Sequence, residues 1–538
     1  MWIGRKVVGF VGSLSLLACQ TPNASNGAAS DPSASAGAVP STSEAVAPVE
    51  PPSEEREVGD DGAASPASTA LPPAQEERAF EAKAVVRAGG ELTEVAKKKK
   101  GAHVGAFVLD LASGRTLFEE NGSVPVNPAS NQKVLTAAAV LRGLGPAFRF
   151  TTELRATSTE SRVEALVLRG DGDPSLDTER LWLLARAARQ QGLRTVGHVY
   201  VDQSGFDEHF VSPAFEQQPN EWAAFRAPVS AVSLERNTVT LNVLPTKEGE
   251  PARFWFEPPG AVASSGSIET RAAGGPDRVS WTLRADAPGT PLLLASTVGG
   301  GLAEDMGRQR YPRRLEDPRL VPGLALKELL GELGVTVEGE VRLGKVQTKT
   351  QLAFVRSEPV SQLLYQVGKY SDNFYAEMVL KALGAKTSGA PGSTAAGAVA
   401  IISWLRQANV TADDVVVKNG SGLFDANRVS PRVLAEALAA AYRDPSISSE
   451  MVATLAIGGV DGTLHKRFVK RASSRAVRAK TGTLKDVTAL SGYVLAPGGR
   501  EPVVFSLVAT GLSPHEARGR IDAVVEAVAS ELWRPAPK

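Results

Sequence analysis

Ser130 and Lys133 stand three positions apart in NPASNQKVLTAAAVL (Asn127 to Leu141), where Val134, Leu135, Ala137 to Leu141 and Leu144 follow and Gly145-Pro146 closes the run. The pattern predicts a buried helix, apolar nearly all round, with the serine at its amino end. Residues three apart share a helical face, so hydroxyl and amine can meet. Desolvation disfavours an ammonium, and a lysine left neutral can take the proton of a serine. The unpaired backbone amides of a helix start can serve an oxyanion. Taken alone, however, the pair is better read as an N-cap serine followed by a solvated lysine.

Two further triplets change that balance. GKYSDNFYAEMVLKAL (Gly368 to Leu383) sets Ser371, Asp372 and Asn373 just ahead of a helical pattern, and AKTGT (Ala479 to Thr483) sets Lys480, Thr481, Gly482 and Thr483 on a strand. In this order the three motifs are the signature of penicillin-interacting serine enzymes. Around them, LVLRGDGDPSL (Leu166 to Leu176), FRAPVSAVSLERNTVTLNVLP (Phe225 to Pro245), NGSGLFDANRVSP (Asn419 to Pro431) and GGVDGTLHKRF (Gly458 to Phe468) narrow the likeness. From about Leu92 to Leu532 the chain resembles the D-alanyl-D-alanine carboxypeptidase/endopeptidase family, the class C low-molecular-mass penicillin-binding proteins. It departs from the family pattern at Asn419, where an aspartate is expected, and at Asp486, where a small residue is expected.

The resemblance implies an α+β fold: a transpeptidase-like domain with a five-stranded antiparallel sheet flanked by helices, and a β-rich domain inserted between the first two motifs. It implies Ser130 as nucleophile, Lys133 as general base, and Ser371 and Asn373 across the cleft. Lys480 and Thr481 would hold the terminal carboxylate of a peptidoglycan stem peptide, and Gly482 would leave room for its backbone. The amides of Ser130 and Thr483 would form the oxyanion hole. β-Lactams would acylate the same serine. Carboxypeptidase and endopeptidase action share this site, so the motifs do not separate them.

The elements that must position these residues are legible in part. HVGAFVLDL (His103 to Leu111) and TLFEE (Thr116 to Glu120) flank Ala112-Ser113-Gly114 as an antiparallel hairpin. RAVRAKTGT, TALSGYVL and VVFSLVATG, between Arg475 and Gly511, read as three more strands, and Ile521, Val524, Val525, Val528 and Leu532 recur at helical spacing. One sheet built from both ends of the folded region is expected. Lys133 and Ser371 are 238 positions apart, more than a compact domain needs, so an insertion is expected over 161–352, with 81–160 and 353–538 as the two parts of the catalytic domain. Gly170-Asp171-Gly172-Asp173-Pro174 near its entry reads as a turn in preference to a contact with the peptide stem.

The chain's start differs from the rest. Arg5 and Lys6 precede the apolar run Val7 to Leu17, the order of a secretory signal, which ends in Leu-Leu-Ala-Cys at Cys19. The run is shorter than the ~20 apolar residues of a membrane span. It resembles a lipoprotein cleavage box over residues 1–19, with Cys19 lipidated and the outer membrane as the expected anchor. Residues 20–80, rich in Ala, Ser, Pro and Glu, read as a disordered tether. The 538 residues carry 59 basic and 59 acidic side chains, so no field favours nucleic acid. The run Lys97 to Lys100 reads as a solvated face. No metal signature appears and no cofactor is expected; oligomeric state is not readable.

Four alternatives remain open on sequence, one of them an envelope protein whose main role lies in the inserted domain. A serine β-lactamase shares the motifs, and Glu216 with Asn220 offers a loose water-activating pair. A catalytically silent peptidoglycan-binding lipoprotein has no need of all of Ser130, Lys133, Ser371, Asn373 and Lys480. A Ser-His-Asp enzyme would have to bring one of five distant histidines to Ser130.

Overall fold

The computed structural model describes residues 80–285, 293–389, 391–470 and 472–534. Cys19, the run before it and the tether up to residue 79 lie outside the described residues.

In chain order, helix α1 (Lys83–Lys97) leads into strands β1 (His103–Asp110) and β2 (Arg115–Glu120). No element was expected at α1; its Val85, Leu92 and Ala96 are buried against the sheet. Helix α2 (Gln132–Leu144) follows a 3-10 turn at Ala129–Asn131. The insertion begins with β3 (Thr151–Ala156) and β4 (Arg162–Gly170), continues through α3 (Thr178–Gln190), β5 (Thr195–Asp202), β6 (Thr238–Leu244) and α4 (Val321–Glu332), and ends with β7 (Thr350–Arg356). Helices α5 (Val360–Gly368), α6 (Asn373–Ser388), α7 (Thr394–Gln407), α8 (Pro431–Arg443) and α9 (Ser448–Thr454) come next. Strands β8 (Val477–Thr483), β9 (Val487–Val494) and β10 (Val503–Thr510) and helix α10 (Pro514–Leu532) complete the described chain.

The five expected strands form one antiparallel sheet in the order β8-β9-β10-β1-β2, and a two-residue strand, Ala456–Ile457, is added at the β8 edge. Every residue of β9 is buried, because α1 and α10 cover one face and the helical layer around α2 covers the other. A strand buried on both faces reads as a continuous apolar run, which is why TALSGYVL shows no clean alternation. Residues Gln132 to Leu141 of α2 are all buried among α5, α6, α7, α8 and α9. That environment carries Lys133 into the interior.

The insertion holds more than strands. Its first sheet runs Thr336–Val337, β5, β4, β3, β7, with β4 and β5 parallel around the α3 crossover and α3 and α4 packed in its core. A second sheet pairs β6 with Arg253–Glu257 and Gln309–Arg314. The boundary expected at 160/161 would cut the β3–β4 ladder, where Thr152 to Ala156 pair with Gly170 to Leu166. Pairing of β3 with β7 likewise closes the sheet at Arg356, so it spans Thr151 to Arg356. Gly170 to Pro174 is a turn held by its own bonds: Asp171 Oδ1 accepts from Thr151 N at 2.8 Å, and Asp173 accepts from Ser175 N at 2.8 Å and from Arg180 at 3.2 Å. The Lys97–Lys100 run is partly paired, Lys97 with Glu94 and Lys99 with Glu516.

Candidate active site

Ser130 sits on the 3-10 turn, one residue after Ala129, whose φ of 47° is left-handed. Such a conformation is costly away from glycine and persists only where the surroundings impose it. Two glycines close in on this turn. A Cβ at Gly482 of β8 would lie 3.1 Å from Pro128 O and 3.2 Å from Ala129 Cβ, and one at Gly422 would lie 1.9 Å from Ala129 O. Gly482 therefore admits the serine turn on the side a Cβ would occupy, a use of its own beside the room for substrate expected of it.

One turn on, Lys133 is 1% exposed. Its Nζ lies 3.1 Å from Ser130 Oγ, 2.7 Å from Asn373 Oδ1 and 2.6 Å from the Ser421 carbonyl. A neutral amine has two N–H donors and one lone pair. Two pure acceptors and one hydroxyl satisfy that set, with the lone pair left for Ser130. Burial lowers the Lys133 pKa to about 7, against the raising influence of Glu377 and Asp372.

Asp372 caps α6, accepting from Tyr375 N at 3.1 Å, and Asn373 is the first residue of that helix. Asn373 Nδ2 donates to the Phe225 carbonyl of the insertion at 3.0 Å, which fixes the amide with its oxygen toward Lys133. Ser371, at φ 62°, accepts from Lys480 Nζ at 2.8 Å. Lys480 is fully buried on β8 and also donates to Thr481 O at 2.8 Å. Thr481 Oγ1 donates to Thr463 Oγ1 at 2.9 Å, and Lys369 Nζ pairs with Asp461 at 2.7 Å, so the GGVDGT loop braces the second and third motifs together. Thr483 is exposed at the end of β8.

The structure thus brings Ser130, Lys133, Ser371, Asn373, Lys480, Thr481 and Gly482 into one connected cluster. It adds Ser421, Thr463 and the Phe225 carbonyl, which sequence reasoning passed over; the only signal was their place in segments already singled out for the resemblance. Glu216 and Asn220 are exposed on the loop that follows Phe215. At Asn419 the amide donates to Pro213 O and Leu423 O at 3.0 and 3.1 Å and accepts from Gly422 N at 2.9 Å, a set that a carboxylate cannot complete. Asp486 is exposed in the β8–β9 turn.

A family model described as D-Ala-D-Ala carboxypeptidase 3 (S13) matches residues 89–531. The chain is 34% identical over 459 residues to a D-alanyl-D-alanine carboxypeptidase of Actinomadura sp. (strain R39), covering 82% of this chain and 83% of that one. It is 26% identical over 444 residues to the D-alanyl-D-alanine carboxypeptidase DacB of Haemophilus influenzae, covering 79% and 88%. The crystal structure of penicillin binding protein 4 (dacB) from Haemophilus influenzae superimposes with a TM-score of 0.67 at 23% identity, over 82% of this chain and 99% of that one. That protein has also been crystallised with a β-lactam.

Proposed function

The chain belongs to the D-Ala-D-Ala carboxypeptidase 3 (S13) family, and from that premise we propose how this serine-type, penicillin-binding D-Ala-D-Ala carboxypeptidase works. Ser130 is the nucleophile and Lys133 the base. The observation that carries this is the Lys133 amine, desolvated and 3.1 Å from Ser130 Oγ, with its other two partners both acceptors.

Lys133 Nζ takes the Ser130 proton as Oγ bonds to the carbonyl carbon of the penultimate D-alanine. The negative charge that forms on the carbonyl oxygen meets the amides of Ser130 and Thr483, each such donor being worth ~3 kcal/mol in a transition state. The C–N bond then breaks, the proton passes by way of Ser371 to the leaving amine, and D-alanine departs. Water then attacks the ester carbonyl, giving its proton to Lys133, which returns a proton to Ser130 Oγ as the acyl C–O bond breaks; the shortened peptide leaves and the Ser130 hydroxyl is restored. Lys480 and Thr481 receive the substrate carboxylate, and the Asn373 amide orients Lys133. A β-lactam takes the same first step, but its leaving group stays tethered to the acyl-enzyme. Cleavage of cross-bridges is the same acylation with a different amine leaving.

The same reading assigns residues 1–19 as a lipoprotein signal, Cys19 as the lipidated residue, residues 20–79, ahead of the buried Phe80, as a tether, and the periplasm, with the lipid anchor in the outer membrane, as the destination. Acyl chains contribute ~0.8 kcal/mol per buried CH₂, so two or more anchor stably. Membrane fractionation of Cys19→Ala cells tests this: the variant is expected in the soluble fraction, and retention at the membrane would refute the anchor.

The decisive experiment on the site is intact-protein mass spectrometry of residues 81–538 with benzylpenicillin, beside Ser130→Ala. A persistent single adduct lost in the variant supports the assignment. A folded protein that neither acylates nor consumes the drug would leave a wall-binding protein, and consumption without an adduct would point to a β-lactamase. Muropeptide digests would then separate released D-alanine from cleaved cross-bridges.

A further inference from the structure

Asn373, Glu377 and Lys381 follow one another at intervals of four along α6 and so share one face. Every residue of α6 from Phe374 to Gly384 is buried. A carboxylate in such a helix requires partners, since an unpaired buried charge is strongly destabilising. Glu377, fully buried, finds them in the backbone of the Asn-Gly-Ser-Gly loop: Oε2 accepts from Gly420 N at 3.1 Å and Oε1 from Ser421 N at 2.8 Å. The carbonyl of Ser421 is one of the two acceptors that hold Lys133 Nζ, and the carbonyl of Gly420 accepts from Thr136 Oγ1 of α2 at 2.8 Å. Asn373, from the same face of α6, supplies the other acceptor. One helical face therefore fixes both, one directly and one through the loop.

We propose that Glu377 is a positioning residue that aims Lys133 at Ser130 and serves as its buried counter-charge; this rests on the assignment of Lys133 as base. The groups around Lys133 leave Glu377 as the main counter-charge. Ser130 faces it from the start of its own helix, Asn373, Glu377 and the more distant Asp372 from α6, and the Ser421 carbonyl from the loop; Lys480 on β8 turns to Ser371 and Thr481 O. Glu377 in turn is faced by two amides and by the cations Lys133 and Lys381. Lys381, its side chain wholly buried, passes the pairing on to the insertion, 2.6 Å from Asp207 Oδ1 and 2.7 Å from His209 O. Charges alternate from Lys133 through Glu377 and Lys381 to Asp207, so the insertion meets one end of this row at Asp207 and bonds Asn373 through the Phe225 carbonyl.

The test is the pH dependence of the acylation rate constant with a fluorescent penicillin, from pH 5.5 to 8.5, in the parent and in Glu377→Gln. The variant keeps the side-chain volume and one carbonyl-type oxygen but removes the charge. Its acid limb is expected to move down by about one pH unit, a tenfold change in the ratio of the rates at low and high pH. A merely structural role predicts a fall by the same factor at every pH, and that result would overturn the proposal. Because the limb is read from rate constants, a reduced folded fraction does not disturb it. Should Glu377→Gln not fold at all, Lys381→Met removes a cation and keeps Glu377, and its limb is expected to move up; an unmoved limb there also overturns the proposal. A parent that forms no adduct on Ser130 would instead refute the site assignment on which the proposal stands.

Discussion

Arg236 of the insertion stands 3.3 Å from Asp372, the middle residue of the Ser-Asp-Asn triplet, and its guanidinium lies over the ring of Tyr375. Glu235, Arg236 and Asn237 have φ of 49°, 58° and 51°, three left-handed residues in succession, none of them glycine. Each costs roughly 1–2 kcal/mol, and the turn is held by Asn237, whose amide donates to Pro228 O, Ser230 Oγ and Ser233 Oγ. The strain delivers a cation to a carboxylate that is only 15% exposed.

Arg236→Met should therefore loosen the second motif. Acylation by benzylpenicillin is expected to slow about tenfold, equivalent to ~1.4 kcal/mol, with the thermal midpoint lowered only slightly because the pair is partly solvated. Stopped-flow acylation beside a melting curve checks this. An unchanged rate would mean that the Asp372 cap and the Phe225–Asn373 bond suffice.

Lys133 must be neutral to act as a base, and its pKa of about 7 places an acid limb there: below it the acylation rate should fall tenfold per pH unit. The folding linkage has a definite sign. The unfolded chain keeps this proton up to its ordinary 10.5, whereas the folded chain releases it near 7. Between the two the unfolded state binds more protons, so this residue makes stability rise with pH. Denaturant melts of the parent and Lys133→Met across pH 7 to 10 should differ by that slope; parallel profiles would contradict it.

Gly482→Ala separates packing from substrate space. The added methyl meets Pro128 O, Ala129 Cβ and Ala489 Cβ, so a loss of stability of about 1–3 kcal/mol is expected together with slowed acylation. A variant of full stability that fails only to acylate would return Gly482 to the role of making room for substrate.

Asn419→Asp introduces the residue that the resemblance led us to expect and should nonetheless destabilise this protein. A carboxylate in place of Nδ2 would face the carbonyls of Pro213 and Leu423, two lost donations and a repulsion worth about 2–4 kcal/mol. Chemical denaturation measures it. A neutral outcome would require the Pro213 loop to have moved away.

What the sequence by itself determined is which residues are candidates for chemistry: Ser130 with Lys133, the Ser371–Asn373 triplet and Lys480–Thr483, because residue type and short spacing are local properties. The strands at both ends of the folded region and the terminal helix were legible for the same reason, being written in periodicity. The tertiary structure alone decided the rest. Lys133 and Asn373, 240 positions apart, meet because α2 and α6 pack side by side, and no local pattern encodes that contact. Nothing local marks Glu377 in the sequence, because its partners, the amides of Gly420 and Ser421, come from a loop more than 40 positions on. The β3–β4 hairpin shares its sheet with β7 through a ladder whose partners lie 194 to 205 positions apart. Whether a lysine is an ammonium or an amine depends on how much water its neighbours exclude and which charges remain beside it, and both are set by packing in three dimensions.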